Sequence, residues 1–324
     1  MRKNIAIIGA SGIVGRTVLK ILKERNLDKN NFFLFASKDN DGLPLYIGRK
    51  KYITKSLSDQ TFKKTKFDYA LFCTREEVSG KYVSKFLKNG AKVIDFSSLY
   101  RKEFPLIVPE INFQEAKGNL ICNPNCSTAA GVMALYEIHK KFGLEEIVYS
   151  TYQAVSGAGK VALDDIKTKK QEKLKSFVFP IYDNLIPQIG TIDEYGNSTE
   201  ENKMLFETRK ILGDSEIKIA ATCVRVPITV CHSLSIHFKT KCDATLQEII
   251  DTLKNTHGVT VMDNAPDFPM PFKTKGKDDV LVGRIRNSFE KNAFDIFVCS
   301  DNLRKGAAQN GVQILEMFLR EKKW

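Results

Sequence analysis

The sequence predicts an α/β protein of two domains: an N-terminal, doubly wound parallel sheet, then an α+β domain, with a C-terminal helix returning to the first. Three observations predict it. Over the first 125 residues short apolar runs alternate with amphipathic stretches, the pattern of a parallel sheet built from crossover units. Beyond that point the strands lengthen and alternate apolar with polar side chains, as in an antiparallel sheet with one buried face. A length of 324 residues, 43% of them apolar, exceeds one ordinary core and suits two.

The first strand is the β-branched run from Asn4 to Ile8, which passes directly into Gly9-Ala10-Ser11-Gly12-Ile13-Val14-Gly15 and then a helix from Arg16 to about Arg25. Strand, glycine turn and helix in that order make a Rossmann-like cradle for a dinucleotide. Glycines let the backbone approach a pyrophosphate, and the helix N-terminus faces it. The spacing is G-x-x-G-x-x-G rather than G-x-G-x-x-G, and a tight turn without a ligand is the competing explanation. Further strands are expected at Phe32–Ala36, Tyr69–Cys73, Val93–Phe96 and Leu120–Cys122, with helices at Glu76–Asn89 and Phe113–Lys117. Strands of the second type follow at Glu146–Ala154, Ile217–Cys223, Ser233–Thr240 and Ala293–Cys299. Asn302–Leu319 reads as a helix with an apolar stripe of Ala308, Val312, Leu315 and Leu319. The changes of pattern place residues 1–125 and 303–324 in a dinucleotide-binding domain and 126–302 in a second domain.

Composition narrows the function. The net charge of +12 comes mostly from dispersed lysine, with Lys63-Lys64-Thr65-Lys66 and Lys167-Thr168-Lys169-Lys170 the densest runs. Without a nucleic-acid module beside them these are solvated surface, so no nucleic-acid partner is expected. No apolar run has the length of a membrane span, and the apolar start is too short for a signal peptide, which points to no membrane partner and a cytoplasmic protein. Seven cysteines without any Cys-x-x-Cys pair argue against a disulfide framework and against a metal site.

The most informative stretch is Asn123-Pro124-Asn125-Cys126-Ser127-Thr128. Asn125 is a competent N-cap for a helix running to Ile138, which would put Cys126 in the first turn. Positive charge at a helix N-terminus favours a thiolate, and the N–H groups of the first turn could stabilise an oxyanion on an attacked carbonyl. A buried, inert cysteine is the alternative. Of four histidines, His139 and His257 read as surface or helix-end residues and His237 as the polar face of a strand. His232, which follows Arg225-Val226-Pro227 in a loop before a strand, suits proton chemistry, with a structural role as its alternative. Gln153 to Gly159, small residues after a strand, can admit a ligand closely. Glu200 and Lys203 lie three apart on one helix face, where an ordinary ion pair would also sit.

Taken in order, these residues identify the chain as similar to the aspartate-semialdehyde dehydrogenases. The carriers are Gly9 to Gly15, Val93-Ile94-Asp95-Phe96-Ser97-Ser98, Val108-Pro109-Glu110-Ile111-Asn112, Asn123 to Thr128, Gln153 to Gly159, Cys223 to Pro227, His232-Ser233 and Asp301 to Asn310. The resemblance implies NADP-dependent, reversible reductive dephosphorylation of L-aspartyl 4-phosphate to L-aspartate 4-semialdehyde, with release of inorganic phosphate, in lysine, threonine, methionine and isoleucine biosynthesis. It implies Cys126 as nucleophile, His232 as acid/base and Gln153 as the residue orienting the covalent intermediate. It implies Arg225 on the substrate carboxylate, Glu200 on its ammonium, and Arg101, Lys203 and Asn125 around the phosphate. The cofactor would meet Gly9, Ala10, Ser11, Gly12, Ile13, Val14, Ser37, Lys38, Ser156, Gly157 and Asn310, and the chain would form a homodimer through its second domain.

The chain departs from the family pattern mainly near the cofactor. Ala36-Ser37-Lys38-Asp39-Asn40 carries Asp39 where an arginine for the NADP 2′-phosphate is usual. An acid there suits a bare 2′-hydroxyl, so NAD use is expected as well. Cys73-Thr74-Arg75, Phe96 and Cys231 also replace the usual residues. A related acyl-phosphate or acyl-coenzyme A semialdehyde dehydrogenase, or a non-catalytic paralogue, is the alternative; the latter would not keep Cys126, Gln153, Arg225 and His232 together.

Overall fold

The computed structural model describes residues 2–321. The chain forms two compact units, one of residues up to Pro124 with those from Ala307 on, the other Asn125–Gly306. In the first, strands β1 (Asn4–Ile8), β2 (Asn31–Ala36), the hairpin β3 (Pro44–Ile47) and β4 (Lys50–Ile53), β5 (Lys55–Ser56), β6 (Tyr69–Phe72), β7 (Lys92–Asp95) and β8 (Leu120–Cys122) alternate with helices. These are α1 (Ile13–Glu24), α2 (Asp59–Lys64), α3 (Glu76–Lys88) and α4 (Pro109–Asn112). The main sheet is parallel throughout, in the order β5-β2-β1-β6-β7-β8. Strand order reverses at β1, so the crevice beyond its carboxyl end is the ligand position of a doubly wound sheet.

Burial on both faces explains the continuous apolar strands. Ile5 and Ile7 of β1 enter a core with Val18 and Leu22, while Ala6 and Ile8 enter a second one with Val83 and Phe86. The first helix starts at Ile13, three residues before the expected Arg16, because Gly12 is extended and serves as its N-cap. The helix expected over Phe113–Lys117 is a four-residue α4 opened by Pro109, followed by a 3-10 turn at Phe113–Glu115.

The second unit opens with α5 (Cys126–Phe142), β9 (Leu144–Gln153), α6 (Lys160–Asp165) and α7 (Thr199–Leu212). There follow β10 (Lys218–Arg225), β11 (His232–Thr240), α8 (Leu246–Lys254), β12 (Val259–Val261), α9 (Pro271–Thr274), β13 (Val280–Asn287) and β14 (Ala293–Ser300). The last helix, α10 (Gln309–Glu321), belongs to the first unit. The sheet order is β10-β9-β11-β14-β13-β12. This sheet is mixed where a purely antiparallel one was expected: β10 lies parallel to β9, and β12 parallel to β13. The long connection through α6 and α7 carries the chain back to the starting end of the sheet, which makes a parallel pairing.

One face of this sheet is covered by α5, α7 and α8. On the other, Val148 and Tyr152 remain 42% and 38% exposed. Helix α5 is apolar almost all round, with Ala129, Val132, Met133 and Leu135 all buried, as expected of a helix between a sheet and a second helix.

Candidate active site

Asn125 organises the entry of α5. Its extended backbone (φ −61°, ψ 145°) stops the helix from running further back, and its side-chain oxygen accepts from the N–H groups of Ser127 and Thr128 at 2.9 and 3.2 Å. Two of the first-turn N–H groups expected to face an oxyanion are therefore taken by the cap. The positive end of α5 nevertheless begins at Cys126, which favours a thiolate. Cys126 is half-buried, and its Sγ lies 3.0 Å from His232 Nε2.

His232 opens β11 and is 1% exposed. The Ala154 N–H donates to its Nδ1 at 2.9 Å, so the neutral ring carries its proton on Nε2, facing the sulfur. Burial, helped by the Arg225 charge, pushes the imidazole down to about 3. At neutral pH His232 is thus an uncharged ring with a donor aimed at Cys126.

Sheet register places the next two residues. Gln153 and Arg225 end neighbouring parallel strands as direct partners. Arg225, 6% exposed, donates from Nη1 to Ala154 O at 2.7 Å. Gln153 is wholly buried; its Nε2 donates to Ser127 Oγ and, at 3.0 Å, to Glu200 Oε1, while its Oε1 has no protein partner among the described residues. A buried amide oxygen without a partner costs free energy unless a ligand supplies a donor.

Helix α7 delivers the acidic groups. Ser198 and Glu201 close a capping box at its start, which sets the rotation that turns Glu200 inward. Glu200 Oε1 accepts from Asn125 Nδ2 at 2.8 Å, and Oε2 from Lys203 Nζ at 3.3 Å. Burial acts to raise the Glu200 carboxyl, but Lys203, the Asn125 and Gln153 amides and Arg225 outweigh it and hold it below its ordinary value. The result is a buried carboxylate that stays ionised.

Two glycines shape the surroundings. A Cβ on Gly157 would lie 3.0 Å from Arg225 Nη1 and 3.4 Å from His232 Nε2. One on Gly306 would come within 2.8 Å of the Cys126 Cβ. Sequence reasoning named Gly306 only within the stretch Asp301 to Asn310 and passed over Glu207 and the Ala154 N–H; of these two only Glu207 left a signal, seven residues and two helical turns beyond Glu200. Cys231, by contrast, is buried with φ +80°, and its contact with Cys299, then burial, push the thiol far up, so it is no rival nucleophile.

In the first unit the glycine turn suits a pyrophosphate. Gly9 has φ +80°, and a Cβ there would sit 2.4 Å from Cys73 O; Gly12 caps α1 without any side-chain acceptor, which leaves room at the helix mouth. Ala10 is buried, and Ser11, Ile13 and Val14 are half-buried along the turn. Ser37, Lys38 and Asp39 are exposed at the carboxyl end of β2, with Ser37 Oγ accepting from Asn40 at 3.0 Å. Asn310 turns its amide inward, donating to Ile107 O and Asn123 Oδ1 at 2.8 and 2.9 Å. Arg101, nearly buried, donates to Phe96 O at 2.9 Å. Ser156, in the second unit, accepts from Asn302 at 3.0 Å. No cluster of metal-ligating side chains occurs among the described residues.

Comparison with known proteins identifies the family of the chain. Residues 4–119 match the semialdehyde dehydrogenase NAD binding domain and residues 135–305 the semialdehyde dehydrogenase dimerisation domain. The chain is 43% identical to the aspartate-semialdehyde dehydrogenase of Aquifex aeolicus, over 99% of each chain. It is 38% identical to that of Bacillus subtilis, over 97% of this chain and 96% of the relative. A solved aspartate semialdehyde dehydrogenase II from Vibrio cholerae, complexed with ASA, superposes with a TM-score of 0.93 at 36% identity over 99% of both chains. A capped, histidine-paired cysteine beside a buried carboxylate and arginine, on a chain that matches such relatives end to end, belongs to the aspartate-semialdehyde dehydrogenase family of oxidoreductases.

Proposed function

We propose that this enzyme of amino-acid biosynthesis reduces L-aspartyl 4-phosphate to L-aspartate 4-semialdehyde through a Cys126 thioester, on the pathway to lysine, threonine, methionine and isoleucine. The observation that carries the reading is the 3.0 Å contact of Cys126 Sγ with a His232 ring whose proton sits on Nε2. The thiolate attacks the acyl carbon, the bond to the phosphate oxygen breaks, and the phosphate leaves with the electron pair and takes one proton from solvent to become hydrogen phosphate. The Gly9–Val14 turn would hold a reduced nicotinamide cofactor, whose chemistry there would be hydride donation. The Cys126 thioester carbon that received the hydride would become a tetrahedral oxyanion, and its collapse would release the aldehyde and the Cys126 thiolate. Hydride in and thiolate out need no net proton, so His232 stabilises both anions as a donor and keeps its proton.

The remaining residues bind. The Glu200 carboxylate takes the substrate ammonium and the Arg225 guanidinium its carboxylate, with Gln153 Oε1 accepting from the bound intermediate. Lys203, Arg101 and the Asn125 amide hold the phosphate. Gly9, Ala10, Ser11, Gly12, Ile13 and Val14 hold the pyrophosphate of the cofactor, with Ser156, Gly157 and Asn310 as further contacts. Ser37 and Lys38 favour a 2′-phosphate while Asp39 offers an acceptor to a 2′-hydroxyl, so NADP is used and NAD is accepted too. The exposed Val148 and Tyr152 face suits a homodimer of a cytoplasmic enzyme.

The test is absorbance of the reduced nicotinamide with aspartate semialdehyde, phosphate and either cofactor. No signal, or an equal rate without phosphate, refutes the reaction. A preference for NADP above about a hundredfold, close to 3 kcal/mol of discrimination, refutes the role given to Asp39.

A further inference from the structure

The mechanism uses Glu200 but not the second buried carboxylate on α7. Glu207 stands seven residues later on the same face, is wholly buried, and directs Oε2 at the backbone N–H of Asn125, 2.7 Å away. That N–H lies outside α5, one residue before the nucleophile, and the helix ladder cannot satisfy it. Met204 sits between the two acids on α7 and receives the Thr128 hydroxyl at 3.5 Å, so the whole face of α7 reads the first turn of α5. Glu200 holds the Asn125 side chain and Glu207 its main chain. The peptide leading into Cys126 is thereby fixed at two points separated by two turns of a rigid helix.

We propose that Glu207 is a positioning residue: through the Asn125 N–H it sets the direction in which α5 starts, and so the place of the Cys126 sulfur against His232. The inference rests on Cys126 being the nucleophile. The interaction is one of reach, since a neutral acceptor at the same point would serve as well, while the same charge set back by one methylene, about 1.5 Å, would not. Positioning errors of about 1 Å can cost up to a hundredfold in turnover.

The experiment compares Glu207→Asp, which keeps the charge and loses the reach, with Glu207→Gln, which does the reverse. Glu290→Gln serves as comparator, because Glu290 is a surface acid that accepts from Lys239 at 3.0 Å and makes none of the contacts at the start of α5 or α7. Each full-length protein is assayed for kcat and KM, and for the plateau rate of Cys126 alkylation by iodoacetamide, read by mass spectrometry. Alkylation requires no particular substrate, so it separates failure of the inference from failure of the assigned reaction. The expected result is about a tenfold loss of kcat and a slowed plateau for Glu207→Asp, with KM within about twofold. For Glu207→Gln both stay near the parent values, as for Glu290→Gln. A Glu207→Asp enzyme with parental kcat overturns the inference, as does a Glu207→Gln enzyme as impaired as Glu207→Asp. If Glu207→Asp does not fold, the Gln variant alone decides: parental alkylation and kcat support the inference, and a tenfold loss in either overturns it.

Discussion

A single methyl added at position 306 would press on Cys126, the residue proposed as nucleophile. In Gly306→Ala the new Cβ would lie 2.8 Å from the Cys126 Cβ, 3.3 Å from its Cα and 3.4 Å from its carbonyl oxygen. The nearest atom is one bond from the backbone, so no change of rotamer relieves the contact. Restoring an ordinary 3.4 Å separation requires a movement of about 0.6 Å by one segment or the other. Overpacking of this kind costs about 1–3 kcal/mol, and a displacement of that size at the sulfur corresponds to about a tenfold loss of kcat. The assay is steady-state kinetics with aspartate semialdehyde and phosphate beside a calorimetric melt. The expected outcome is a lower melting temperature and a lower kcat with KM little changed. A variant with parental kcat and parental melting temperature would refute the close packing of Gly306 on Cys126. A rise confined to KM would show that the pocket wall, rather than Cys126, absorbs the methyl.

Two further outcomes follow from the same site. In Gly157→Ala the methyl would meet the guanidinium end of the Arg225 side chain at 3.0 Å and the His232 ring at 3.3–3.4 Å. The guanidinium yields more easily than the ring, so KM for the semialdehyde should rise by about tenfold, more than kcat falls, and an unchanged KM would remove Arg225 from the substrate site. His232 also makes stability depend on pH. With its folded value near 3 against an ordinary 6.5, the unfolded chain binds a proton that the folded chain refuses anywhere between those values. Its contribution is therefore complete above pH 6.5 and lost as pH falls toward 3, on the order of a few kcal/mol. Urea unfolding at pH 7 and 4.5 should show a larger loss for the parent than for His232→Asn, and equal losses would contradict the burial of a neutral ring.

What the sequence disclosed and what it withheld divide along the range of the forces involved. The N-cap of α5 was legible because Asn125, Cys126 and Thr128 are neighbours, and a cap is a local hydrogen-bonding decision. The parallel sheet of the first unit was legible because strands buried on both faces read as unbroken apolar runs. Strand direction in the second unit was not, since alternation gives the same period for parallel and antiparallel neighbours, and only the long path through α6 and α7 decides it. The short β3–β4 hairpin and β5 carry too few residues for any period to emerge. The direct pairing of Gln153 with Arg225, two residues that sequence reasoning named separately, is likewise a product of register. The direction of the His232 proton was hidden for a further reason. It depends on the main-chain N–H of Ala154, which occupies Nδ1 of His232 and leaves Nε2 to face the sulfur. Every residue except proline carries that group, so nothing in the identity of residue 154 announces it. Only the meeting of the end of β9 with the start of β11 turns a histidine that could accept or donate into one that donates.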